Sequence, residues 1–257
     1  MSLSDVQTGK SDLPNRYVIY GPAGVGKTTL GASFPNPIFL QAAGETGLDA
    51  LLKSGSLPES LARFPESKTW DELGSALRVL TDEDHGYKTL VLDTINGAEK
   101  LAHEAELQSV YEGDRKKFVS YGAGERSSAF RIVAFLDAID RLRERRKMSI
   151  VLLAHSRIKE QKNPEGDNYD RYEPDVTKES LATLGRWSDA ILFMNFYIVV
   201  KEDKGRGGDQ RVMQCERRAA YEAKNRLGLP ATIHLGTTKA EAWQAFCDAL
   251  KGGKGGE

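Results

Sequence analysis

The sequence predicts an α/β protein with a mainly parallel central sheet flanked by helices and an antiparallel hairpin near its C-terminal end. Three observations predict it. Short apolar runs alternate with amphipathic helical stretches, the pattern of strands joined by crossover helices. The run Tyr17-Val18-Ile19-Tyr20 leads directly into the glycine-rich stretch Gly21 to Thr29 and a helix former, a strand–loop–helix order. Two strand-like stretches, "DAILFMNFYIVVKED" and "RVMQCERRA", flank the turn "KGRGGD", which reads as a hairpin.

The elements follow in order. Arg16 to Tyr20 is the first strand and Thr28 to Ser33 opens the first helix. "NPIFLQA" (36–42) is a second strand, and "LDALLKSG" a short helix ending at Gly55. Thr69 to Leu80 carries apolar residues at helical spacing. "KTLVLDTI" (88–95) is a buried strand, Glu99 to Val110 a helix, and Ser127 to Lys147 a long amphipathic helix. "MSIVLLAH" (148–155) is another buried strand. Residues 156–186 are polar and read as a loop, long for a plain connection. "ATIHL" is a last strand, and "TKAEAWQAFCDAL" a closing helix capped by Thr237 or Thr238.

The bulk numbers bound the class. The 257 residues, 40% hydrophobic and 28% charged, suffice for one large domain, expected over 15–250. Residues 1–14 are expected to be a flexible segment and 251–257 a disordered tail. A net charge of -1 gives no global field toward nucleic acid or membrane, so such binding needs local patches. Cys215 and Cys247 form no metal-spacing motif and suit a reducing compartment. With no apolar signal core and no membrane-spanning run, a cytoplasmic protein without a membrane partner is expected.

Gly21, Gly26, Lys27 and Thr28 fit G-x-x-x-x-G-K-[ST], the P-loop pattern. The expected nucleotide-binding residues are Gly21, Pro22, Ala23, Gly24, Val25, Gly26, Lys27, Thr28 and Thr29. Glycines let the backbone N–H groups curl around an anion. The following helix offers its positive end to the same anion. Lys27 is placed to reach the β- and γ-phosphates of ATP, and Thr28 to put its hydroxyl on Mg²⁺. Hydrolysis also needs a carboxylate on the metal, a group that positions water, and charge for the transition state. Asp93 ends the apolar run Leu90-Val91-Leu92, where a buried strand delivers a residue to the ligand crevice. Asp93 and Thr28 are the expected metal ligands, with Thr94 beside the metal shell. Glu45, just past the second strand, is expected to orient the attacking water. His155, at the exit of its strand, is expected to hydrogen-bond the γ-phosphate. Lys27, Glu45 and His155 form the expected catalytic set.

This order of parts resembles the RecA-type recombinase core over about residues 15–235. "IFLQAAGETGLD" resembles the segment with the catalytic glutamate, "TLVLDTI" the Walker B strand, and "VLLAHSRIKE" the γ-phosphate sensor strand. His155 stands where bacterial RecA has glutamine. "LATLGRWSDAILFMN" is similar to the return from the second DNA-binding loop. "AKNRLGLP" resembles the segment that touches ATP on the neighbouring subunit, which implies that role for Lys224 and Arg226. The resemblance implies a RecA-like P-loop NTPase core with ATP and Mg²⁺. Without added terminal modules, it is similar to the core-only ATPases that phages encode for single-strand annealing and recombination. Single-stranded DNA, self-association into a filament or ring, and a single-strand DNA-binding protein are the implied partners, in the cytoplasm of a phage-infected host. A polymerisation helix would have to fit within residues 1–14. A helicase or loader ATPase, or a nucleotide-switched module with little turnover, stay open as alternatives.

The family turns two loops toward DNA. Here the first is 111–126, with four basic and three acidic residues and Tyr111, Phe118 and Tyr121 for stacking. Cations interleaved with rings suit a sequence-blind grip on a single strand, which points to Arg115, Lys116, Lys117 and Tyr121. The second, 156–186, holds six basic and seven acidic residues, with Arg157, Lys159 and Lys162 clustered at its start. "DRLRERRK" (140–147) reads as the solvated end of a helix.

Overall fold

The computed structural model describes residues 2, 6, 12–42, 44–201 and 204–253, with the side chains of 198–207 outside that description. Most of the 1–14 segment and residues 254–257 therefore lie outside the described residues.

A ten-stranded sheet organises the chain. Its strands are β1 Arg16–Gly21, β2 Pro37–Gln41, β3 Ala62–Arg63, β4 Thr89–Asp93, β5 Ser149–Gln161, β6 Tyr169–Pro174, β7 Ala190–Lys201, β8 Lys204–Gln214, β9 Lys224–Asn225 and β10 Thr232–Gly236. The main order is β10-β8-β7-β1-β5-β4-β2-β3, with β6 paired to β5 and β9 to β7. The body from β7 to β3 is parallel. The pairs β7–β8 and β8–β10 are antiparallel. This is the expected α/β P-loop core with antiparallel strands toward the C-terminus.

The helices are α1 Lys27–Gly31, α2 Gly47–Lys53, α3 Trp70–Asp82, α4 Ile95–Ser109, α5 Arg115–Val119, α6 Ala123–Arg146, α7 Lys178–Trp187 and α8 Lys239–Gly252. The period of two along β1 explains the two-sided core. Val18 and Tyr20 join the face covered by α3, α4, α6 and α7. Tyr17 and Ile19 join the face covered by α1, α2 and α8. Thr238 caps α8 through a full capping box with Glu241. α8 reaches Gly252, so the first residues of the expected tail are helical.

Four expectations are corrected. Residues 156–186 are not a loop: β5 runs on to Gln161, pairs with β6 as an antiparallel hairpin, and α7 follows. This hairpin stands off the main sheet and is joined by ion pairs across its strands, so it lacks the apolar alternation that marks a strand. Residues 111–126 are not a loop either: they form α5, a 3₁₀ turn at Ser120–Gly122 and the start of α6. Asp114 caps α5 by accepting from the Lys117 amide. "KGRGGD" is not the turn of the C-terminal hairpin, because its residues lie in β8; the connection at 202–203 lies outside the described residues. Nor is "DRLRERRK" merely solvated. Arg143 is buried, and Asp140 accepts from Arg16 and Trp187.

Candidate functional site

Four parallel strands, β1, β5, β4 and β2, lie side by side. Their carboxyl ends deliver the P-loop, His155, Asp93 and the chain toward Glu45 to one crevice. The register makes this concrete: Gly21 is level with His155, Leu153 with Asp93, and Asp93 with Gln41. The cavity there measures about 550 Å³. It takes walls from the P-loop, from Gly44 to Gly47, and from Asp93 and His155.

The loop backbone needs its glycines. Gly26 has φ +99°, a left-handed conformation that side chains disfavour. A Cβ on Gly21 would stand 2.0 Å from the Met194 carbonyl oxygen of β7. Lys27 is buried and its ammonium donates to the carbonyls of Gly21 at 2.8 Å and Pro22 at 2.9 Å. Burial pulls its pKa down to about 8, against the opposing pull of Asp93 and Glu45.

The polar groups form two linked pairs. Thr28 Oγ1 donates to Asp93 Oδ2 at 2.8 Å. Burial holds the Asp93 pKa above its ordinary value. Glu45 accepts from Thr94 Oγ1 at 2.8 Å through Oε1, and its Oε2 lies 3.2 Å from His155 Nε2. The hydrogen bond to His155, opposed by burial, leads in lowering the Glu45 pKa. Thr94 is not aimed at a metal. Its hydroxyl is the N-cap of α4, accepting from the Gly97 amide, while it donates to Glu45.

A hydroxyl and a carboxylate already in contact are a hard-oxygen pair that suits Mg²⁺, with phosphate and water oxygens completing the shell. No group of three or more His, Cys, Asp or Glu among the described residues is arranged for a metal. The fit is therefore to an ion shared with a phosphate.

Two residues at this edge escaped the sequence reading. Asn96, on the first turn of α4, accepts from the His155 amide at 2.9 Å and donates to the Asp175 carbonyl. It thereby ties β5 at His155 to the far base of the β5–β6 hairpin. Arg211 of β8 donates to the carbonyls of Gly236 and Thr238. Its third nitrogen, Nη1, would stand 2.8 Å from a Cβ on Gly26, so it braces the back of the P-loop. Neither contact leaves a local motif in the sequence.

The remaining candidates lie elsewhere. Lys224 pairs through β9 with Ile191 near the start of β7, toward the amino-terminal end of the parallel strands and away from the P-loop. Its ammonium donates to the carbonyls of Gly185 and Ser188 at the C-terminal end of α7. Arg226 is exposed. Neither touches the P-loop of its own chain. Arg115 pairs with Glu104 and Lys117 with Asp114, both in the open. Tyr121 is 94% exposed, but Phe118 packs edge-on against His103 and Tyr111, so neither Phe118 nor Tyr111 is a free ring. Phe130, 78% exposed on α6, is a free ring that the sequence reading assigned to an amphipathic helix. Arg157 and Lys159 pair with Glu173 on the inner face of the β5–β6 hairpin. The expected basic cluster is thus largely neutralised, and only Lys162, near the tip, stays out of an ion pair among the described residues.

A protein-family profile described as an AAA domain matches residues 13–227. A comparison with curated proteins finds no match. Among solved structures, the crystal structure of the RadB recombinase is similar at 14% identity and a TM-score of 0.49, covering 88% of this chain and 89% of that one. That resemblance is too loose to bear on activity. No described helix is long and apolar enough to cross a membrane.

Proposed function

Because the chain belongs to the AAA-domain family of P-loop ATPases, we propose that it is an ATPase of RecA-like type that binds single-stranded DNA, serves phage-type annealing or recombination, and hydrolyses ATP between subunits. The observation that carries the reading is the Glu45 carboxylate, held by Thr94 and His155 beside the Thr28–Asp93 pair and at the mouth of the P-loop.

In this reading the P-loop amides and Lys27 hold the phosphates. Thr28 and Asp93 would hold Mg²⁺, which would supply positive charge against the phosphates. Glu45 accepts a proton from the attacking water, with Thr94 and His155 fixing its direction. Loss of the γ-phosphate is felt at His155, which Asn96 ties to the hairpin base. The test is turnover of ATP by the purified protein with and without single-stranded DNA. No turnover under either condition makes the protein a nucleotide switch.

DNA contact is assigned to the tip of the α4–α6 helical hairpin. Lys116 and the exposed Tyr121 and Phe130 combine charge with stacking surface there. Single strands should be preferred and binding should weaken steeply with salt. Replacing Arg115, Lys116 and Lys117 with alanine should reduce the salt slope by about 2 to 3. An unchanged slope in a fluorescence-anisotropy titration places the contact elsewhere.

Lys224 and Arg226 are assigned to the ATP of the next subunit. A cation supplied in trans is worth about 10³–10⁵ in rate in arginine-finger systems. Lys27→Ala alone and Lys224→Ala/Arg226→Ala alone should both be inactive. Their mixture should regain part of the ATPase, since some interfaces then pair an intact P-loop with intact donors. Full activity in the double variant removes the trans role. A single-strand DNA-binding protein is the further partner of this reading.

A further inference from the structure

A groove larger than the nucleotide crevice lies elsewhere on the described surface. It lies between α3 and α6 and measures about 920 Å³. The two helices run side by side in the same direction, with Trp70 against Phe135 toward one end and Asp82 paired with Arg145 at the other. The floor is apolar: Trp70, Leu77 and Phe135. Gly74 and Ala134 keep the walls low. Of the arginines on the rim, Arg131 and Arg145 are taken by Glu106 and Asp82. Arg78, on the α3 wall, and Arg141, on the α6 wall, are exposed and in no ion pair among the described residues. Glu144 is the one groove acid outside an ion pair there.

The β5–β6 hairpin presents the complementary surface. Its register sets Ile158 opposite Tyr172 and Glu160 opposite Asp170. Alternation puts these four on one face, away from Arg157, Lys159 and Glu173; at its base Tyr172 stacks on the core ring of Phe193, which leaves Ile158, Glu160 and Asp170 as the exposed part of that face. Ile158 is 58% exposed. Glu160 and Asp170 are like charges directly opposite one another, a destabilising cross-strand pair. Neither is paired with a cation among the described residues. From Glu160 to Asp170 the sequence holds four acids against one lysine.

We propose that this hairpin face docks in the α3–α6 groove of a second copy of the chain, with Ile158 on the Trp70–Phe135 floor and Glu160 and Asp170 between Arg78 and Arg141. The surface that docks differs from the surface that receives. The contact is therefore head-to-tail, and its repetition builds a ring or a filament. It gives the self-association proposed above a named interface and rests on that part of the reading alone, since no readout below involves ATP turnover. Because β5 carries His155 as well as Ile158 and Glu160, the same strand runs from one copy's nucleotide crevice into the next copy's groove.

Sedimentation velocity across a concentration series, with and without a non-hydrolysable ATP analogue, tests it. The unaltered protein should self-associate. Glu160→Lys/Asp170→Lys and Arg78→Glu/Arg141→Glu should each weaken association at least about tenfold. Mixing the two variants should restore it, since each reversed surface then meets its complement. All four positions are exposed, so circular dichroism should show folds and melting unchanged. As a second measurement, Ile158→Cys in one copy should form a disulfide with Ala134→Cys in another, both in a Cys247→Ser background. The proposal is overturned if the unaltered protein stays monomeric throughout, if either variant associates as the parent does, if mixing recovers nothing, or if the disulfide does not form. It is equally overturned if the arginine variant loses affinity for DNA or for another protein while self-association is untouched.

Discussion

Lys27→Ala is expected to lower nucleotide affinity by at least about a hundredfold, since a charged donor to phosphate contributes roughly 1.5–3 kcal/mol per bond. The ammonium is buried at the crevice and already aligned by the Gly21 and Pro22 carbonyls. Titration with a fluorescent nucleotide measures the loss, and parental affinity in the variant refutes the P-loop role. The same residue makes a second, independently signed prediction. Its pKa in the fold, about 8, lies below the ordinary 10.5. At pH below about 8 the lysine is charged in both folded and unfolded chains and its burial destabilises the fold. Between about 8 and 10.5 the folded protein sheds the proton first, and the penalty fades. Without nucleotide, Lys27→Ala should therefore melt above the parent at pH 7, with the gap closing as pH rises through that window.

Glu45→Gln should cut turnover by about 10²–10⁴-fold while leaving nucleotide affinity nearly unchanged. Glutamine keeps the shape, but it cannot take a proton from water. Its amide also presents a donor where the carboxylate accepts from both Thr94 and His155. The hydrogen bond to His155 lowers the Glu45 pKa below the ordinary 4.5. The carboxylate is thus ionised throughout the neutral range, and any loss of turnover from its protonation begins only below that value. Steady-state hydrolysis beside equilibrium binding separates the two effects. Parental turnover in the variant would assign the proton transfer to another group.

The crevice was legible in the sequence because its parts obey one rule. A parallel sheet presents residues at the carboxyl ends of its strands: Lys27 and Glu45 follow such ends, Asp93 closes β4, and His155 stands where β5 makes its last pair with β1. The strand order that makes them neighbours then follows from the crossover connections. What stayed hidden depends on contacts between distant segments. Arg211 reaches the P-loop from β8, and Asn96 reaches both His155 and Asp175. The β5–β6 hairpin read as a loop because charges, not apolar residues, join its strands: Arg157 and Lys159 both meet Glu173. The 111–126 segment read as a loop because its cations and glycines outweighed one half-buried ring, Phe118, and a helix cap, Asp114.

The brace of Arg211 against Gly26 has a consequence for descent with change. The guanidinium is tied to the carbonyls of Gly236 and Thr238, so it cannot swing away without abandoning the first turn of the last helix. Any residue larger than glycine at 26 would meet it at 2.8 Å. Glycine at 26 is thus held twice over, by its left-handed backbone and by Arg211, so a shorter side chain at 211 would lift one restraint and leave the other in place.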